Sequence, residues 1–164
     1  MSLERLIGGG MQSLEPDINH RTFWITLAEL NTGKVLVPGH NGVQYRVVGF
    51  VVNPIAAVAA ATDVRIGDDA GTPIVAATLA QAQLTAGANL RPGDTGVTLG
   101  DGYWYALTVG KGIKVYKTGS SATGVGRLRI QLSWQIIRGG GNQVPTSTSS
   151  STTSTTSSSS TTTT

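Results

Sequence analysis

The stretch Arg127–Ile137 alternates without a break. Leu128, Ile130, Leu132, Trp134 and Ile136 fall on one side of an extended chain, and Arg127, Arg129, Gln131, Ser133 and Gln135 fall on the other. A side-chain period of two specifies one buried and one wetted face, which antiparallel sheets permit and parallel sheets, covered on both faces, mostly do not. Short runs of the same kind, broken by glycine, reach back to Arg21. They predict an all-β antiparallel domain of about 8–10 short strands, a sandwich or a barrel.

Residues 22–27 set Phe23, Ile25 and Leu27 against Trp24 and Thr26. Leu30-Asn31-Thr32-Gly33 and Pro38-Gly39-His40-Asn41-Gly42 read as turns on either side of a short strand at 34–37. Residues 43–52 are the most apolar run, with Tyr45, Val47 and Val51 on one side and Val48, Phe50 and Val52 on the other. Two apolar faces mark a central strand, or one whose outer face meets another chain. The Ala-rich residues 55–61 allow one helical turn or a loop of small residues. Further strands are predicted at 62–66, 73–79 (with 80–84 able to extend it), Val97–Leu99, 103–109 and 113–117, with a flexible connection over 118–126 before the last strand.

The ends differ from the middle. Residues 1–20 read as an N-terminal arm, in which Gly8-Gly9-Gly10 stops the short apolar run of Leu3, Leu6 and Ile7. Residues 21–138 form the single β-domain. Residues 139–164 begin with glycines and finish, from Thr146 onward, entirely in Ser and Thr. Such a tract buries no apolar area to offset the entropy of ordering, so it is expected to be disordered: a spacer, an O-glycosylated stalk or a strap along a partner. Charged residues make up 13% of the chain, about half the usual share, which suggests that much of the surface meets other protein. The net charge of +3 is small and dispersed, so no nucleic-acid partner is expected. There is no long apolar run or signal core, hence no expected membrane partner, and with no cysteine there is no disulfide or thiolate chemistry.

Little in the chain points to a reaction. Asp68-Asp69, between Gly67 and Gly71, offers carboxylates on a turn, but the spacing of a calcium loop is missing, and backbone geometry is the simpler role. His20 and His40 lie in no motif and read as solvated turn residues. No serine sits in a nucleophile motif, and the glycine triplets lack the Lys-Ser/Thr of a phosphate loop. The expectation is no enzyme, no cofactor and no metal. Tyr103-Trp104-Tyr105 is the one aromatic cluster; strand alternation would put the tyrosines on one face and Trp104 on the other, as core packing or as an interface anchor.

The order of motifs resembles a known group. Leu27-Ala28-Glu29-Leu30-Asn31-Thr32-Gly33, running on to Val37-Pro38-Gly39, looks like the opening of small structural proteins of tailed bacteriophages. So do Val64-Arg65-Ile66-Gly67-Asp68, Leu90-Arg91-Pro92-Gly93, Gly112-Ile113 and the closing Arg127–Ile137. The chain thus resembles capsid decoration (cement) proteins over about residues 22–137. The resemblance implies a jelly-roll-like sandwich, a homotrimer, the major capsid protein as partner, a place on the outer surface of the virion's capsid, and no catalytic residues. On that basis Leu3, Leu6 and Ile7 are expected as arm anchors. Tyr45, Val48, Phe50 and Val52 are expected in a subunit interface, with Trp104 as a further contact. Another phage role (tail, neck or fibre base) and a carbohydrate- or receptor-binding module around residues 103–105 are the alternatives.

Overall fold

The computed structural model describes residues 18–124 and 126–137. In chain order the elements are β1 (Ile18–Thr26), α1 (Leu27–Thr32), β2 (Lys34–Val37), β3 (Gln44–Pro54), β4 (Ala59–Asp68), β5 (Val75–Ala80), a 3-10 turn (Gln81–Gln83), β6 (Val97–Leu99), α2 (Asp101–Trp104), β7 (Ile113–Thr123) and β8 (Arg127–Ile137). The strands form two antiparallel sheets, ordered β1-β8-β3 and β2-β7-β4-β5-β6. This is a jelly-roll-like wrap: first and last strands adjoin, and the pairs β3–β8 and β4–β7 nest inside them. The segment around α2 takes the place beside β3 where a fourth strand would stand. Leu107 N–H donates to Tyr45 O and Gly110 N–H to Val43 O.

The long alternation of β8 decides how the sheets face each other. Leu128, Ile130 and Leu132 are buried against Ile25 of β1, Tyr45, Val47, Phe50 and Val52 of β3, and Val64, Ile66, Leu79, Ile113 and Val115 of the other sheet. Each fully buried aliphatic side chain of this kind stabilises the fold by about 1.5–3 kcal/mol. β8 pairs on both sides, from Gln135 with Ile18 to Arg127 with Thr26, and from Ile137 with Gln44 to Leu128 with Pro54.

Several expectations are corrected. β3 is not central: β8 is its one strand neighbour, its other edge is met by loop residues Leu90, Leu107 and Gly110, and its two-sided apolarity comes from a bulge between Val47 and Gly49 that puts Val48 out of register. The bulge exchanges faces midway, so Tyr45, Val47, Phe50 and Val52 all point inward. The first strand begins at Ile18, which moves Ile18, Asn19 and His20 from the arm into the domain. The turn at 30–33 belongs to α1, where Thr26 and Glu29 form a capping box. Residues 55–58 form no helix, and Ala59, Ala60 and Ala61 already belong to β4. Residues 118–123, expected as a flexible connection, extend β7. The strand expected at 103–109 is replaced by the helical turn α2 and a loop.

Candidate functional site

The charged residues of β4 are used to hold the fold together. Asp68, fully buried at 0% exposure, accepts from the backbone N–H groups of Ala70 and Ile74 at 3.2 and 3.1 Å, and from Thr108 N–H and hydroxyl at 2.9 and 2.5 Å. Asp69 Oδ1 accepts from Gly112 N–H at 2.8 Å. The Asp-Asp turn therefore staples the β4–β5 connection to the loop before β7. The same loop lies tightly against the turn after β2: a Cβ on Gly112 would collide with Val37 O, and one on Gly39 with Gly110 O. On the outer face of the same sheet, Arg65 donates to both carboxylate oxygens of Asp63 at 3.2 and 3.0 Å, and Thr118 Oγ1 donates to Asp63 at 2.6 Å. The Asp63 hydrogen bond raises the Arg65 pKa further, and burial pushes the Tyr116 phenol up against the partial opposition of Arg65. No group of three or more His, Cys, Asp or Glu side chains able to hold a metal ion occurs among the described residues.

His20 is not a turn residue. It lies in β1, opposite Ser133, and its Nδ1 is 2.7 Å from Ser133 Oγ. A serine activated by histidine needs a third group to orient the base. Among the described residues no carboxylate hydrogen-bonds to His20. The pair sits at a groove of about 390 Å3 that crosses the three-stranded sheet at the level of residues 20–22, 50–51 and 131–133. His40 is exposed in the turn before β3.

α2 builds a corner that carries exposed aromatic side chains. Tyr103 wedges edge-on between Phe50 (centroids 6.4 Å apart) and Trp104 (5.2 Å), and its hydroxyl donates to Val48 O at 3.4 Å. Arg46 Nε donates to Tyr103 O at 3.2 Å, and Gln44 Nε2 to Leu107 O at 2.8 Å. On this rigid base Trp104 is 55% exposed, and Tyr105 and Val109 are exposed close by in the chain.

The eight expected interface residues divide accordingly. Leu3, Leu6 and Ile7 lie outside the described residues, as does the tract 139–164. Tyr45, Phe50 and Val52, at 3%, 4% and 0% exposure, are core side chains of this chain and have no surface left for a partner. Tyr45 donates its hydroxyl to Pro38 O at 3.1 Å, and burial raises its pKa. Val48 is half-buried beneath Tyr103. Only Trp104 stands out from the surface. Sequence reading missed Trp24, 53% exposed on β1 opposite Arg129, because alternation showed its side but not that no layer of the described residues covers that side. It also missed Ile55, exposed at the end of the same sheet. No family model, no curated protein and no solved structure matches this chain.

Proposed function

We propose that this protein is a structural subunit of a tailed-phage virion that attaches to the outside of the assembled capsid and stabilises the shell by bridging major capsid subunits. The observation that carries the reading is the α2 corner. There the hydrogen bonds of Tyr103 to Arg46 and to Val48 O tie α2 to β3, and Trp104 stands out from that base in solvent with Tyr105 and Val109 exposed close by in the chain. Rigid exposed aromatics are the residue type that anchors protein interfaces, because they bury large area at little cost in side-chain entropy. The sandwich fold, the low charge and the likeness in turn motifs to decoration proteins support the same reading. A protein of this kind stabilises a shell by binding the assembled lattice more tightly than free subunits, so attachment itself raises the temperature at which the lattice fails.

The test combines solution mass with sedimentation. Light scattering is expected to give a trimer, and the chain is expected to pellet with purified mature heads. A monomer that stays in the supernatant at every head concentration contradicts the proposal.

A further inference from the structure

We propose that the outer face of the three-stranded sheet is a glycan-binding platform that takes an extended chain of pyranose rings and prefers acidic sugars to neutral ones. This inference does not rest on attachment to a capsid, and the exposed side chains of the α2 corner, Trp104, Tyr105 and Val109, are not part of its site.

The face is built as a sugar site would be. Outward side chains of β1 and β8 pair across the sheet in register: Trp24 beside Arg129, Thr22 beside Gln131, His20 beside Ser133. Trp24 presents its ring to solvent, and the C–H face of a pyranose stacks on such a ring. One strand step away lies the groove, lined by hydroxyl, amide and imidazole groups. The side chains of Thr22 and Gln131 make no hydrogen bond among the described residues, so their donors and acceptors are free for ring hydroxyls. On β3, Gly49 stands opposite Ser133 and leaves the hollow open where a side chain would fill it. From Trp24 to His20 is two steps of about 6.7 Å each, room for more than one ring.

Charge sets the preference. None of the three strands contains Asp or Glu, while the face carries Arg46, Arg127 and Arg129. Arg129 Nε is buried without a hydrogen-bond partner among the described residues, next to the Trp24 position. That nitrogen is closed to solvent, so a carboxylate reaches the guanidinium at its terminal nitrogens, which make no hydrogen bond among the described residues and carry the charge that favours an acidic sugar. An acidic peptide is the less suitable occupant, because added strands take a sheet edge through their backbone and the groove lies on the face.

The test is a tryptophan-fluorescence and calorimetric titration of the full chain with a panel of hexasaccharides. Oligomers of galacturonic, glucuronic and mannuronic acid are compared with their neutral counterparts, and polyglutamate and oligo-dT serve as polyanion controls. At least one acidic hexamer is expected to bind in the sub-millimolar range and about tenfold more tightly than its neutral partner. Trp24→Ala should weaken binding about tenfold, and Arg129→Gln should remove the acidic preference while sparing the neutral sugar. Gly49→Val fills the hollow at an ordinary contact with Ser133 Cβ (3.6 Å from the added Cβ) and should also weaken binding. Trp104→Ala should leave binding unchanged. Near-UV circular dichroism confirms that each variant is folded. Absence of binding by every hexamer at about 10 mM, equal binding by polyglutamate or oligo-dT, or indifference to Trp24→Ala in a folded protein would overturn the proposal.

Discussion

The two sheets of this sandwich use their polar residues in opposite ways. In the five-stranded sheet the carboxylates are satisfied within the chain: Asp63 by Arg65 and Thr118, Asp68 by four donors. Close to its β2 edge, Glu29 holds Lys34 at 2.7 Å. The three-stranded sheet has no carboxylate, a buried guanidinium nitrogen without an acceptor, and a tryptophan on its open side. A face whose groups are all paired adds stability and asks nothing of a partner. One that leaves donors and apolar area unmatched gives up stability in exchange for something to bind.

The sharpest way to break this contrast is Asp68→Ala. It strands four donors in a buried turn, and the expected loss is about 4 kcal/mol in a urea or guanidinium unfolding series. Asp63→Ala leaves Arg65 and Thr118 without their shared acceptor at a partly wetted site, and about 1–2 kcal/mol is expected by the same measurement. On the other sheet the sign should turn. Arg129→Met keeps the apolar stem and removes the unsatisfied nitrogen, so stability should stay level or rise by up to about 1 kcal/mol. A clear loss there would mean that the three-stranded face is as fully paired as the other.

The smallest effect is a pH dependence. Hydrogen bonds from Lys34 and from Thr26 hold Glu29 at about 2, below its usual 4.5. A carboxylate with a lowered folded-state pKa contributes stability that is present above its unfolded value and is lost as pH falls through the folded one. Glu29→Gln should therefore flatten the stability profile between pH 4.5 and 2, with an effect that shrinks in high salt.

What the sequence made legible follows from how local each signal is. The alternation of β8 and the turn chemistry at Gly67–Gly71 depend on neighbours in the chain, and the all-β sandwich follows from them. The faces of β3 do not. One extra residue at Val48 reverses the side of everything after it, and nothing in the local pattern announces a bulge. α2 misled for a similar reason. Tyr103-Trp104-Tyr105 is strand-forming by composition, yet Gly102 packs so tightly under Leu107 and β5 that the chain coils there. By contrast, α1 was visible in principle through Thr26 and Glu29, whose spacing is that of a capping box. The open sides of Trp24 and Trp104 come from which strands adjoin and which do not, a property of the assembled sheets.

The most direct test of the central claim is quantitative co-sedimentation with mature phage heads, run for the wild-type chain, Trp104→Ala and Trp24→Ala in parallel. The account predicts saturable binding of the wild-type protein, retention of binding by Trp24→Ala, and loss of most binding by Trp104→Ala while its unfolding midpoint is unchanged. Wild-type protein that never pellets, or a folded Trp104→Ala variant that binds as well as the wild type, would contradict it.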